Sequence, residues 1–376
     1  MSFTTPATGN ILKKWETDYF AEYVRESGFN PYMGTSTNSP FVVKKQLIQG
    51  GQVITIPLVT AFSGGNVGAG TLTGNEEALG NFSYDLKPYW HRFAAAIKKS
   101  EEQNSVIDLL NASKDMLKVR DMDDMRDSII NALGSITELS SAYKEGVSPT
   151  EQAHPKEVFF SESTAAQKNA WSAANRYRIL YGNAEANYNA TFATAAANVD
   201  TTADKFTVSS LALLKRMAKR RLRIQKGDSI DLPSIRPIRT GSQGREYFVC
   251  FVGPEPFSDL KIDMRTINLD GRPRDVESNP IFQDGDLIVD GVVVREIPEI
   301  SNVGTIGASS ATVYPVYFTG AQALGIAWGQ TTRATQRKED DYGFIKGVGV
   351  ESLWSAEKLR YNGIDHGMIT GFFAAT

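Results

Sequence analysis

Between Gln52 and Lys98 the chain carries two extended runs around a glycine-rich centre, and this pattern limits the fold more than any other stretch. The outgoing run is Gln52-Val-Ile-Thr-Ile-Pro-Leu58. Side chains on a strand alternate, so Ile54, Ile56 and Leu58 share one face while Val53, Thr55 and Pro57 share the other. The centre, Ser63 to Gly74, is rich in glycine and threonine. The returning run, Asn81 to Ile97, brings Tyr84, Leu86, Tyr89 and Trp90. A two-stranded ribbon of this kind is marginal alone in water. It must lie on some other surface, and its mixed faces point to a neighbouring copy of the same chain.

The remainder is long enough to supply a body. At 376 residues, the chain is expected to form two or three domains with a sizeable core. The net charge is −3, which gives no overall attraction to nucleic acid or to an anionic membrane. Cys250 is the only cysteine, so no disulfide forms within the chain. It sits in Tyr247-Phe-Val-Cys-Phe-Val252 and is expected to pack as a small apolar residue. Residues 1–9 lack a basic region followed by an apolar core, so no secretory leader is expected. No apolar run approaches the roughly 20 residues that span a bilayer, so no membrane partner is expected.

In chain order, residues 1–10 are small and polar. Leu12, Trp15, Tyr19, Phe20 and Tyr23 then recur at helical spacing, ending near Gly28. This helix is either a first core element or an arm that docks on another subunit. Residues 28–42 read as an irregular connector. After the ribbon, Val106, Leu109, Leu110, Met116 and Leu117 define one helical face. Asp121 is placed to cap a second helix carrying Met122, Met125, Ile129, Leu133 and Ile136. Residues 145–203 are rich in Ala, Asn, Ser and Thr and read as an insertion of short helices and loops. Thr207 is expected to cap a helix with Val208, Leu211, Leu214, Ala218 and Leu222 on one face. From Ile230 the pattern becomes mainly strand and turn, with a tight Asp290-Gly291 hairpin signal. A short helix and then a strand are expected within Gly320–Gly329, and a last strand near residue 370.

Lys215 to Lys226 holds seven basic residues in twelve. One reading is contact with nucleic-acid phosphates through Lys215, Lys219, Arg220, Arg221 and Arg223. The other is a solvated helix face paired with acids such as Glu339, Asp340 and Asp341. Both stay open, with the second favoured.

The residues offer little catalytic chemistry. His91, His154 and His366 have no metal-ligand spacing, and one cysteine builds no zinc site. The acidic group Asp121, Asp123, Asp124 and Asp127 lacks the glycine and terminal Glu of a calcium loop. The run Gly64 to Gly70 has no following lysine, so its glycines are better read as a flexible turn than as a phosphate cradle. Asp365-His366 is the best dyad, but no nucleophile accompanies it. No catalytic residue, metal or cofactor is therefore assigned, and an enzyme is not expected.

The order of elements carries a resemblance. Its segments are Ile54–Val59, Leu72–Leu79, Tyr84–Trp90, Tyr247–Pro254, Asn279–Phe282, Ile288–Val294 and Asp340–Gly343. In this order they resemble the major capsid proteins of tailed bacteriophages, with the Hong Kong 97-type capsid fold, and more narrowly the phage N-four-like branch. The resemblance implies an α+β fold in five parts. Residues 1–45 would be the N-terminal arm and 46–98 an extended hairpin loop reaching over an adjacent subunit. Residues 99–204 would hold a peripheral domain with its spine helix and the insertion at 145–203. Residues 205–310 would form the axial domain, and 311–376 would return to the peripheral sheet. It implies a structural protein that assembles into an icosahedral shell around double-stranded DNA. The shell would be made of hexamers and pentamers, built in the bacterial host cytoplasm and located in the virion. Cement, scaffolding and portal proteins are further partners of such a shell. The expected inter-subunit contacts are Trp15, Tyr19 and Tyr23 in the arm, and Ile54, Ile56, Leu58, Tyr84, Leu86, Tyr89 and Trp90 in the loop. The alternatives are a DNA-binding protein built on the helix at 207–226, or a portal or tail component.

Overall fold

The computed structural model describes residues 29–45, 53–59, 67–76, 81–104, 109–138, 157–220, 233–240, 244–270, 287–337, 342, 344–361 and 363–375. The aromatic helix expected at 11–27 lies outside them.

Two sheets carry the body. The first has five strands in the order Met33–Gly34, Phe41–Lys45, Leu324–Gln336, Ile345–Lys358 and Tyr89–Lys98. The two long central strands run antiparallel with Trp328 opposite Trp354. Phe41–Lys45 joins them in parallel on one side. Tyr89–Lys98 adds antiparallel on the other, with Tyr89 opposite Trp354 and Ala95 opposite Val348. The second sheet runs Leu287–Val289, Val292–Glu296, Glu246–Val252, Val313–Thr319, Met368–Ala374 and Ile179–Tyr181, with Arg239–Thr240 paired to the third of these. An aromatic group that includes Phe29, Phe41 and Phe251 joins the long helix residues Ile129 and Leu133 and the sheet residues Trp328 and Trp354 in one core. The expected α+β class holds.

The sequence spacing predicts two helices between Val106 and Ile136; after the short helix Lys99–Asn104, the structure runs both into one continuous helix, Leu109–Gly134. No proline or glycine interrupts it near Lys118. Leu117, Asp121, Met125 and Ile129 are four apart, so Asp121 falls on the buried stripe and is only 2% exposed. It is a mid-helix residue, not a cap.

Three other expectations need correction. The connector at 28–42 supplies buried Phe29, a turn at Asn30–Tyr32 and the sheet strand beginning at Phe41. Of the insertion expected at 145–203, the described residues 157–203 are integral to the body. Its Ile179–Tyr181 forms a sheet edge parallel to Thr370–Phe372, and Trp171, Tyr181 and Phe192 bury Phe372 between them. Strand pairing at this sequence separation leaves no local signature. Finally, Pro254–Asp270 is a helix where strand and turn are expected. Proline is at ease in a first helical turn, and Phe257, Leu260 and Met264 lie on its core side.

Elsewhere the local chemistry reads directly. Asp290 and Gly291, both at positive φ (47° and 76°), make the tight turn between Leu287–Val289 and Val292–Glu296. Thr207 caps Val208–Lys219 in a reciprocal capping box with Ser210. That helix ends at Lys219, where Arg220 turns to ψ 125°, rather than continuing through the basic run. Gly320–Ala323 contains no helix, and Leu324 opens a strand.

Candidate assembly surfaces

The ribbon is real, and its base lies on its own chain. Ile54–Val59 pairs with Asn81–Leu86 in a register that sets Ile54 against Leu86, Ile56 against Tyr84 and Leu58 against Phe82. Ile54, Tyr84 and Leu86 are buried against Ala327, Leu359 and Tyr361, with Ile56 and Leu58 at the margin. The return does not run on to Lys98 as one strand. It breaks at Lys87-Pro88, where the Lys87 N–H donates to Glu357 Oε1 at 2.7 Å. Tyr89 then enters the five-stranded sheet and is buried beside His91, with ring centroids 4.2 Å apart. Burial pushes its phenol well above the ordinary range. His91 stacks on Trp354 at 4.0 Å and pairs through Nδ1 with Asp124 of the long helix at 2.6 Å.

The sequence-selected contact residues thus divide. Ile54, Tyr84, Leu86 and Tyr89 are occupied inside the chain, where a neighbouring copy was the expected partner. Ile56, Leu58 and Trp90 are half-buried. Trp15, Tyr19 and Tyr23 lie outside the described residues. The outer face carries Thr55, Pro57 and Val59; Phe82 lies on the inner face opposite Leu58, beyond the cover at the base, and is exposed. The residues missed by sequence reasoning are Val59, Phe82 and Leu72, which are large, apolar and exposed.

Leu72 sits at the ribbon tip between two turns. The Gly70 N–H donates to the Val67 carbonyl at 3.2 Å, and the Asn75 N–H to the Leu72 carbonyl at 2.9 Å. The Asn75 side chain donates to the Thr71 carbonyl at 2.9 Å. Gly68 and Gly74 hold φ of 65° and 88°, which disfavour any side chain. These two glycines build ordered turns, where glycine content alone suggests a flexible tip.

The basic helix end is neutralised within the chain. Lys215 Nζ pairs with Asp290 at 3.1 Å, and Lys219 Nζ with Glu246 at 2.7 Å. Arg216 and Arg220 both grip Glu185, at 3.0 and 2.9 Å. The Arg220 hydrogen bond leads in holding the Glu185 carboxyl below its usual range. The partners named from sequence, Glu339 to Asp341, lie outside the described residues, as do Arg221 and Arg223. Three acids distant in sequence take the part instead, so Lys215, Lys219 and Arg220 do not form a free phosphate-binding face.

The Asp365-His366 dyad also dissolves into structure. Asp365 accepts from Trp171 Nε1 at 3.1 Å, Lys358 Nζ at 3.2 Å and Arg360 Nε at 3.2 Å. Burial, aided by Arg178, lowers His366 to about 4, leaving it neutral. Arg360 also reaches Glu157 Oε1 at 3.1 Å and Ser135 Oγ at 2.6 Å. Desolvation lifts Glu157 to about 7 against these cations. Burial pushes the Cys250 thiol far up, which suits packing rather than reactivity. Among the described residues no group of three His, Cys, Asp or Glu is arranged to hold a metal ion.

Comparison with known proteins gives the hairpin a context. A profile of the phage capsid protein family matches residues 4–372. The chain belongs to the phage capsid protein family. The major capsid protein of Pseudomonas phage KPP25 is 28% identical over 384 aligned positions, covering 96% of this chain and 94% of that one. A chain of the cyanophage Pam1 capsid asymmetric unit is 34% identical, with a TM-score of 0.80 over 100% of this chain and 99% of its own. The capsid of Ralstonia phage GP4 shares the fold at 20% identity, with a TM-score of 0.64 over 92% and 90% of the two chains. The fold of this capsid protein is therefore the Hong Kong 97-type. Its role is structural, as a subunit of a phage capsid shell.

Proposed function

We propose that the protein is the principal subunit of an icosahedral phage head, many copies of which close around packaged double-stranded DNA. The observation that carries this is the full-length likeness to a capsid asymmetric unit, at a TM-score of 0.80. Rings form by heterologous contacts that close through rotation, giving hexamers and pentamers that join into a shell. Each contact is modest, and many at once stabilise the particle. The five-part division serves this role, with one adjustment. Phe29 and Phe41 are fully buried, which supports ending the arm near residue 28 instead of 45. Contact with DNA, cement, scaffolding and portal proteins, and assembly in the host cytoplasm, belong to the same proposal.

The alternative, a DNA-binding protein using the basic helix expected at 207–226, is disfavoured because Lys215, Arg216, Lys219 and Arg220 in its described part already hold carboxylates. The test is particle mass. Light scattering and electron microscopy of purified protein should show closed particles of megadalton scale. Deleting the tip, Ser63 to Gly74, should leave folded subunits that form no shell. A wild-type monomer that binds DNA with a steep salt dependence would overturn the reading.

A further inference from the structure

We infer that the cavity beside Arg178 is a binding site for a small carboxylate carried on an apolar body, with the guanidinium taking the carboxylate and the cavity wall the rest. The cavity holds about 330 Å³. It lies among the end of helix Ala165–Ala174, the short strand Ile364–Asp365 and the loop that carries Tyr188 and Ala190. Asn175 ties the first two together. Its side chain donates to the Gly363 carbonyl at 3.2 Å and accepts from the Asp365 N–H at 2.7 Å.

Arg178 forms part of the wall and is only 2% exposed. Its Nη2 donates to the Pro233 carbonyl at 2.6 Å. Nε and Nη1 have no hydrogen-bond partner among the described residues. Buried donors left unpaired are costly, and a buried cation without a counter-charge is costlier still. Asp365, whose field reaches Arg178, does not fill the gap. Its Oδ1 takes Arg360 Nε, and its Oδ2 takes Trp171 Nε1 and Lys358 Nζ. Burial accordingly pulls the Arg178 guanidinium down to about 10, and Asp365 opposes the fall only in part.

Charge and wall together set the ligand class. One buried cation is balanced by a monoanion, whereas a phosphate dianion would place surplus negative charge near Asp365. Arg176 adds no second buried charge. It is exposed, with its guanidinium over the rings of Tyr177 and Tyr188 at 5.4 and 5.7 Å. The remaining wall is mainly apolar, with Ala173, Ala190, Ile364 and Tyr188. The Tyr188 hydroxyl is already spent on the Ser172 carbonyl at 2.9 Å. A few polar groups that orient, set in an apolar lining, are what a small-molecule site needs.

The test is isothermal titration calorimetry of the full-length protein in chloride-free buffer, with benzoate, acetate and inorganic phosphate as probes. Benzoate should bind about tenfold or more tighter than acetate, because its ring leaves water for the apolar wall. Arg178→Met should abolish that binding. Because Arg178 is buried, a second variant separates binding from folding. Ala190→Trp, at an exposed position on the rim, should fill the cavity, leave the thermal melt unchanged and weaken benzoate by about tenfold or more. No benzoate binding to the wild type, tighter binding of phosphate than of benzoate, or undiminished benzoate binding to Ala190→Trp would each overturn the assignment.

Discussion

The buried charge cluster around Arg360 makes the sharpest prediction about stability. Arg360 is 7% exposed and spans Glu157, Asp365 and Ser135, joining the segment after the long helix to the end of the central strand. Replacing it by methionine keeps much of the volume and removes the charge. Two carboxylates then remain, supported mainly by Lys358, through its backbone N–H to Glu157 and its Nζ to Asp365. Removing one partner of a buried ion pair costs about 3–5 kcal/mol, because an uncompensated charge stays behind. Arg360→Met should lower unfolding free energy by that amount at pH 8. Urea titration followed by tryptophan fluorescence is the assay, since Trp171 donates to the same Asp365.

The pH dependence gives the argument its check. Glu157 titrates at 4.5 in its ordinary state and at about 7 when folded, so folding takes up a proton between these values. Stability from this group is therefore greatest below pH 4.5, declines as pH rises, and levels off above about 7. Arg360 is the largest of the influences that pull Glu157 down, so its loss moves the levelling-off point higher. Between pH 7 and 8 the variant keeps losing stability, by at most about 1.4 kcal/mol per pH unit, while the wild type does not. At pH 6 Glu157 is largely protonated in both, and the difference shrinks to the part owed to Asp365. A deficit below about 1 kcal/mol at pH 8, or one equal at pH 6 and 8, would refute the account.

Other perturbations test separate joints. Leu86→Ala, at a site with no exposure beneath the hairpin, should cost about 2–5 kcal/mol and speed proteolysis of the ribbon, read by limited digestion. Gly182→Ala combines positive φ (60°) with a Cβ that would collide with the Asp204 side chain, so the melting temperature should drop by several degrees. Thr207→Ala removes a helix cap and should cost about 1 kcal/mol in urea unfolding. Glu185→Ala releases Arg216 and Arg220. Nonspecific DNA binding should strengthen and its log–log salt slope steepen by at most about 2, whereas no change would mean that those arginines face away from any duplex.

What the sequence made legible was local. The Asp290-Gly291 turn, the Thr207 cap and the alternating faces of Ile54–Leu58 follow from neighbours within a few residues, and all three appear in the structure. The failures share a cause. Asp121 reads as a cap because aspartate favours caps, yet its place four residues after Leu117 puts it inside a continuous helix. Ile179–Tyr181 gains its strand identity from Met368–Ala374, nearly two hundred residues later, and nothing near it in sequence announces the pairing. Lys215, Lys219 and Arg220 look like a free cationic run until Asp290, Glu246 and Glu185 arrive from separate elements.

The hairpin shows why an apolar face alone does not identify a subunit contact. Alternation separates Ile54, Ile56 and Leu58 from Thr55 and Pro57, but it is silent on which surface covers them. Ala327, Leu359 and Tyr361 of the same chain do so at the base. This intramolecular anchoring is what a projecting element needs. A ribbon free at its base would lose much of its contact energy to ordering on assembly. With Leu86 fully buried and Lys87 bound to Glu357, the base is positioned before any neighbour arrives. Contact residues should then concentrate beyond Val59, where Leu72 is exposed among the described residues. The same logic assigns Tyr84 and Leu86 to holding the ribbon and the tip to meeting a partner. Substitutions at the two sites should separate, the first lowering subunit stability and the second raising only the concentration needed to assemble.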